Sequence, residues 1–374
     1  MPAKPRLILH IGTEKTGSTS IQQFLAQNRD ILAEYNVFTP RSLDSGGGNH
    51  AWLPVLADPK AFDEFLCRMR VSDVKKRLAS IRNAFISEIN RCSSSQSSWI
   101  ISSEFLQSRL GSKESLLFLR SILGDLFDEI TILLYIRRPI ETAVSLWSTS
   151  LVSGFYVPRL PSPSHPYWNN ACNHARTIRL WREYFPEARF IIRLFQKEDF
   201  VSGDLISDFK AQIGLPDDAL TKDPERQNES LSRFGMLCLC YFNRKFPRLV
   251  SGFRSPIHYG FWRFIRQHTS GLPGYIPEPQ EYLDYDSSFA ESDAWVLHNI
   301  FPDREFLWPV TAETAPEASD QPFSLSNSEA LLLDMVLELW CLSKAPRPWS
   351  DKVLHYPRRI MGFIRRSVLH ALKA

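Results

Sequence analysis

The chain has 374 residues, of which 44% are hydrophobic and 23% charged, ordinary globular usage that excludes wholesale disorder. Lys and Arg number 44 against 41 Asp and Glu, a formal charge of +3. That balance is too mild for bulk electrostatic binding of nucleic acid, so any anion site has to be local. Six cysteines (Cys67, Cys92, Cys172, Cys238, Cys240, Cys341) form no CxxC pair and no His stands at metal-ligand spacing; they read as buried free thiols, and no metal is expected. After Met1-Pro-Ala-Lys-Pro-Arg6 the apolar run lasts only from Leu7 to Leu9, which is no secretory signal. No stretch approaches the ~18 apolar residues of a membrane span. The expectation is a soluble, cytoplasmic protein.

In chain order, Leu7 to Ile11 is a short apolar run ending in Gly12, the pattern of a buried parallel strand. Ile21, Phe24, Leu25, Asn28 and Leu32 then share one helical face. Residues 40–50 read as a loop whose Gly46, Gly47 and Gly48 leave the backbone unrestrained. Val71, Val74, Leu78, Ile81, Phe85 and Ile89 mark a second amphipathic helix. Trp99 to Ile101 is the next strand, with Ser102, Ser103 and Glu104 at its carboxyl end, and Ile130 to Ile136 is a third. Pro139, at a favoured first helical position, opens a helix to about Leu151. A fourth strand runs from Phe190 to Phe195, followed by a helix with Leu205, Ile206, Phe209 and Ile213, capped by Gly214.

Strands alternating with helices imply an α/β fold with a mostly parallel central sheet flanked by helices, and a ligand site at the strand tips. Residues 1–330 read as one domain interrupted by two long irregular segments, 155–174 and 251–286, both rich in aromatics. Residues 331–374 read as a helical C-terminal appendage packed on the same domain.

The first strand leads through Gly12-Thr-Glu-Lys15-Thr16-Gly17-Ser18-Thr19 directly into a helix. Backbone N–H groups at that helix start, with the Ser18 and Thr19 hydroxyls, make a cradle for an anion. A nucleoside triphosphatase loop requires Lys directly after the second Gly; Ser18 stands there instead, and the Lys lies earlier, at Lys15. Further on, Arg137-Arg-Pro-Ile-Glu-Thr-Ala-Val-Ser145 puts a guanidinium at the end of the third strand and a hydroxyl two turns into the next helix. The planar fork of Arg grips phosphate oxygens in pairs. Anion sites at neighbouring strand tips suggest one ligand with phosphate-like groups at both ends.

These segments resemble the sulfotransferase family, in particular its bacterial, carbohydrate-type branch, whose P-loop-like fold binds 3′-phosphoadenosine 5′-phosphosulfate. The resemblance implies that Lys15, Thr16, Gly17, Ser18 and Thr19 hold the 5′-phosphosulfate and that Arg137 and Ser145 hold the 3′-phosphate. Pro139 and Glu141 suit the branch that favours Arg-x-Pro-x-Glu. Glu14 departs from the pattern, since many members have His or Pro there. Weaker echoes follow at Ser102 to Glu104, Phe195 to Asp199, Asn228 to Leu231 and Phe289 to Asp293. The implied reaction moves a sulfuryl group to a hydroxyl or amine of a carbohydrate or glycolipid, without a metal.

Such a transfer needs a cation beside the leaving phosphate oxygen, for which Lys15 is the candidate. It also needs a base for the acceptor proton. Glu104 directly follows a strand and is the first candidate; its bland alternative is a helix-start Glu behind a capping Ser102 or Ser103. His50, in the Gly-rich loop, is the second, with a surface histidine as its alternative. Tyr156, Tyr167 and Trp168 have the faces to stack on a sugar, or simply to pack. Glu198 and Asp199 read as fixing the loop after the fourth strand. The terminal segment, with Arg358, Arg359, Arg365, Arg366 and Lys373, reads as a solvated helix over the core, or as a weak contact for an anionic membrane surface. A P-loop kinase-like phosphotransferase and a non-catalytic nucleotide-binding scaffold remain the alternatives.

Overall fold

A computed structural model describes residues 4–62, 71–92, 97–216, 219, 221–222, 224, 231–246, 248–250, 253–254, 256–308 and 323–344. Its centre is a five-stranded sheet of β1 (Arg6–His10), β2 (Val37–Phe38), β3 (Ser98–Ser102), β4 (Glu129–Ile136) and β5 (Arg189–Leu194), in the order β2-β3-β1-β4-β5. Every pairing in it is parallel. The helices of the same region are α1 (Ser18–Gln27), α2 (Arg29–Glu34), α3 (Trp52–Ala57), α4 (Val71–Cys92), α5 (Phe105–Arg109), α6 (Lys113–Gly124), α7 (Pro139–Val152), α8 (Pro166–Cys172), α9 (His174–Tyr184) and α10 (Leu205–Gln212). Beyond them lie α11 (Arg233–Lys245), the hairpin β6 (Leu249–Val250) with β7 (Phe253–Arg254), α12 (Pro256–Thr269), α13 (Pro279–Ile300) and α14 (Asn327–Lys344). The expected mostly parallel sheet flanked by helices is the fold observed.

The alternation of side chains along each strand produces two apolar layers. Leu7, Leu9, Trp99, Ile101, Ile132 and Leu134 bury in one layer with residues of α4, α6 and α9. Ile100, Leu133 and Tyr135 bury in the other with Ile21, Phe24 and Leu25 of α1 and Ile206 and Phe209 of α10. One polar group lies within the second layer. Asp208 is fully buried; it accepts from the Tyr135 hydroxyl at 2.8 Å and from Arg193 Nε at 3.1 Å, and its other oxygen takes Arg193 Nη2 at 2.5 Å. Burial makes such a carboxylate costly unless both oxygens are occupied, as they are here.

The chain clusters into two compact units. The first comprises Met1–Trp147, Leu160–Glu229 and Pro277–Pro316 and carries the sheet; the second comprises Ser148–Arg159, Ser230–Ile276 and Glu317–Ala374. In the second unit Phe242 stacks on Phe246 and Phe261, and Asn243 Nδ2 donates to the Leu151 and Phe155 carbonyls at 2.8 and 2.9 Å.

Several local expectations change. Neither long segment is irregular throughout: 155–174 contains α8, and 251–286 contains α12 and the first turns of α13. Each of these helices opens with Pro near its first position, and the density of Pro and aromatics hid the helical spacing. The first helix is broken at Asn28, whose side chain donates to the Phe24 carbonyl and to the Lys222 carbonyl. The Asn228 to Leu231 echo lies outside the described residues except for Leu231. The basic segment from Arg358 to Lys373 lies outside them entirely. Among the described residues no helix is long and apolar enough to cross a membrane.

The Asp208 group makes the second layer testable. Tyr135→Phe should cost about 1 kcal/mol in urea unfolding, the value of one hydrogen bond. Asp208→Ala should cost about 3 kcal/mol or more, because it strands both the hydroxyl and the guanidinium. Equal costs would mean that Arg193 is solvated without Asp208.

Candidate active site

Strand β1 lies between β3 and β4, so the loop leaving it opens onto the carboxyl edge of the sheet. Pairing with β4 continues past the end of the strand. The Ile11 N–H donates to the Leu133 carbonyl and the Thr13 N–H to the Tyr135 carbonyl, both at 3.1 Å, and the Thr13 hydroxyl reaches that same carbonyl at 3.2 Å. Within and beyond this tie the backbone turns left-handed three times: Gly12, Lys15 and Gly17 have φ of +88°, +68° and +75°. Such alternation gathers successive N–H groups into an anion-binding concavity. The Thr16 hydroxyl braces the loop by donating to the Thr13 carbonyl at 2.7 Å.

Gly12 requires glycine for space as well as for φ, since a Cβ there would stand 2.9 Å from Glu104 Cα; one on Gly17 would stand 2.2 Å from Leu205 Cδ2, so that side chain would have to move. Gly17 is also the N-cap of α1. No side chain caps that helix and its first turn holds no acidic residue, so its positive end is left to face an anion. Ser18 is buried in the first turn, and Thr19 is exposed beside it.

Arg137 directly follows β4, and the tie between Thr13 and Tyr135 brings it to the loop. Its Nη1 lies 3.5 Å from the Lys15 carbonyl oxygen, its Nε 2.8 Å from Glu141 Oε2, and its guanidinium carbon 5.6 Å from the centre of the Phe195 ring. The pair with Glu141 is 27% and 49% exposed, and a pair that wet can be exchanged for a phosphate at small cost. The Arg137 carbonyl is held by His174 Nε2 at 2.7 Å. That histidine is fully buried, and desolvation pushes it down to about 4, so it is neutral and donates through Nε2. Ser145 is half-buried on α7, eight residues after Arg137.

Glu104 is not held as a helix cap. It is the N-cap residue of α5, but its side chain makes no capping bond, and the Ser102 hydroxyl goes to His10 Nδ1 at 2.8 Å. Instead, Gln22 Nε2 donates to Glu104 Oε2 at 2.7 Å, and Asn49 Nδ2 lies 3.1 and 3.2 Å from its two oxygens. Burial raises its pKa above the ordinary carboxylate range, and Glu14 adds to that. The hydrogen bonds from Gln22 and Asn49 work in the opposite direction, stabilising the carboxylate. Lys15 is shifted downward by desolvation and by Arg137, against the attraction of Glu14 and Glu104.

His50 is not an exposed loop histidine. It is fully buried; its Nδ1 accepts the Ser102 N–H at 2.9 Å, and its Nε2 lies 3.1 Å from the Thr39 hydroxyl. With Nδ1 an acceptor, the ring proton of the neutral form sits on Nε2 and points at Thr39. Its Gly-rich loop is likewise constrained. Asp44 Oδ1 accepts the Gly46 and Gly48 N–H groups at 2.7 and 3.1 Å, and a Cβ on Gly48 would stand 2.1 Å from the Gln22 carbonyl. Among the aromatic candidates, Trp168 is buried with Nε1 on the Ala143 carbonyl at 3.2 Å, which removes its face from any sugar. Tyr167 donates to Glu14 Oε2, and Tyr156 is 48% exposed. Asp199 pairs with Arg304, as a loop-fixing residue does. Among the described residues no cluster of His, Cys, Asp or Glu is placed to hold a metal ion.

Gln22, Asn49 and His174 carry roles that sequence reading missed. Gln22 left a signal, being a polar residue on the face of α1 that also carries Ile21 and Leu25. Asn49 and His174 left none.

No family model and no curated protein matches the sequence. Among solved structures the chain is similar to the sulfotransferase from Alicyclobacillus acidocaldarius, at 14% identity and a TM-score of 0.40, over 80% of this chain and 96% of that one. It is also similar to the sulfotransferase domain from the curacin biosynthetic pathway, at 11% identity and a TM-score of 0.33, over 84% of this chain and 95% of that one.

The buried His50 gives the fold an acid limit. Desolvation lowers its pKa from 6.5 to about 4, so the stability it contributes is complete above pH 6.5 and is lost as pH falls through about 4. Unfolding free energies measured from pH 7 to pH 4 should fall more steeply for the wild type than for His50→Gln. Parallel curves would show that the ring accepts its proton without cost to the fold.

Proposed function

We propose that this chain is a sulfotransferase that moves a sulfuryl group from 3′-phosphoadenosine 5′-phosphosulfate to a hydroxyl or amine of a carbohydrate or glycolipid. The observation that carries this reading is the meeting of Arg137 with the loop, its Nη1 3.5 Å from the Lys15 carbonyl. A cradle built from backbone N–H groups and a guanidinium at the adjacent strand tip suit a ligand with two separated anionic groups. In this reading Lys15, Thr16, Gly17, Ser18 and Thr19 hold the 5′-phosphosulfate, and Arg137 and Ser145 hold the 3′-phosphate. The acceptor class rests on the Arg137-x-Pro139-x-Glu141 wording alone.

The donor supplies an activated sulfur whose bond to the phosphate oxygen breaks as the acceptor bond forms. Lys15 lies in the loop that holds that phosphate, and its ammonium offsets the charge that develops on the leaving oxygen. Glu104 takes the acceptor proton. Its burial raises its proton affinity, which suits a base that must act on an alcohol or amine, while Gln22 and Asn49 keep its oxygens aimed and the carboxylate populated. His50 has no part in this chemistry, because its acceptor nitrogen is committed to the Ser102 N–H.

Three variants test the assignment. Arg137→Lys should weaken 3′-phosphoadenosine 5′-phosphate by about 1–3 kcal/mol in calorimetry and leave adenosine 5′-phosphosulfate, which lacks the 3′-phosphate, nearly unchanged. Glu104→Gln should keep nucleotide affinity and lose roughly 100-fold or more in turnover. Gln22→Ala removes a donor to the carboxylate, so the acid limb of its pH–rate profile should move to higher pH. A Glu104→Gln enzyme with full activity would remove Glu104 as the base.

A further inference from the structure

Glu14 is the residue of the loop that the reaction above does not use. It sits between the tie of Thr13 to β4 and the left-handed Lys15, and its carboxylate accepts the hydroxyl proton of Tyr167, 153 residues away on α8. Tyr167 does not move independently, because α8 is fixed on both sides. Trp168 Nε1 donates to the Ala143 carbonyl at 3.2 Å, the Cys172 thiol lies 3.4 Å from the Pro139 carbonyl, and Gln107 Nε2 reaches the Asn170 carbonyl at 3.0 Å. The hydrogen bond therefore runs from a rigid helix to the middle of the anion loop.

We propose that Glu14, anchored by Tyr167, is a positioning residue that holds Lys15 in its left-handed conformation and acts as its counter-ion. The inference rests on the role given to Lys15 above. A non-glycine residue at φ +68° is strained and persists only where its surroundings fix it. Here the ties on either side are the Tyr167 hydrogen bond that holds the neighbouring Glu14 and the Arg137 contact to the Lys15 carbonyl. The charges facing Lys15 come from three elements: Glu14 in its own loop, Arg137 at the end of β4, and Glu104 after β3. Tyr167 is neutral at ordinary pH, and Arg109 of α5 acts electrostatically on its hydroxyl. Burial and Arg137 both favour loss of the Lys15 proton, and Glu14 is the largest opposing influence. Without Glu14, a fraction of the enzyme would carry a neutral amine beside the leaving oxygen when pH rises.

Lysine side-chain nitrogens labelled with ¹⁵N can be titrated by NMR in the full chain, with Lys15→Arg assigning the signal. Glu14→Gln should move the Lys15 titration to lower pH than in the wild type. Tyr167→Phe, which keeps the ring and removes only the hydroxyl, should move it the same way by less. In turnover, the alkaline limb of the Glu14→Gln pH–rate profile should move down with the titration, while the acid limb stays in place or falls, since Glu104 loses a like charge. A Lys15 titration unchanged in Glu14→Gln overturns the proposal, as does a uniform loss of rate with no displacement of the alkaline limb. Because the NMR titration needs no substrate, a shifted Lys15 in a protein that fails to bind 3′-phosphoadenosine 5′-phosphate would uphold the clamp and reject the sulfotransferase reading.

Discussion

The Tyr135 carbonyl is the point on which the site depends. It takes both the N–H and the hydroxyl of Thr13, extending the pairing of β1 with β4 beyond the last residue of β1. That single acceptor sets the height of the loop over the sheet and delivers Arg137, two residues further on and just past β4, to the Lys15 carbonyl. The ring of the same tyrosine points into the layer between the sheet and α10, where Asp208 holds its hydroxyl. The backbone of Tyr135 thus positions the anion loop while its side chain anchors the strand. A parallel sheet makes this arrangement possible, because neighbouring strands end on the same edge and their exit loops share one crevice.

Around that crevice the polar groups are kept in defined protonation states by burial. His10, His50 and His174 are fully buried and pushed down to about 3, 4 and 4, so each is a neutral ring with one donor and one acceptor nitrogen. Each serves the backbone or a hydroxyl near the site: His10 the Ser102 hydroxyl, His50 the Ser102 N–H, His174 the Arg137 carbonyl. Ionisable groups at the loop include Lys15, Glu14, Glu104 and Arg137; Glu14 and Glu104 oppose desolvation at Lys15 while Arg137 adds to it, and Glu14 adds to it at Glu104.

What was legible in the sequence was local. The apolar runs at Leu7, Trp99 and Ile130 and the glycines at positions 12 and 17 express constraints within a few residues of one another, so they survive in the linear pattern. What was not legible depends on contacts across the fold. Glu104 meets Gln22 and Asn49 from 82 and 55 residues away, and Tyr167 meets Glu14 from 153. The spacing of glycines around His50 suggested a slack loop, whereas Asp44 and the close approach of Gly48 to α1 make it a built one. Edge strand β2, two residues long, is too short for alternation to show. The helix α8 was masked by its own Pro and aromatic residues, of which Trp168 packs against α7.

The central claim is that the loop and Arg137 bind one ligand at two anionic ends. Its most direct measurement is the melting temperature of the intact protein with 3′-phosphoadenosine 5′-phosphate, set beside adenosine 5′-phosphate and ATP with Mg²⁺ at equal concentration. Stabilisation grows with occupancy of the folded state, so the account requires the largest rise with the bisphosphate and a small one with the 5′-monophosphate. An equal or larger rise with ATP and Mg²⁺ would contradict it and assign the loop to phosphoryl transfer.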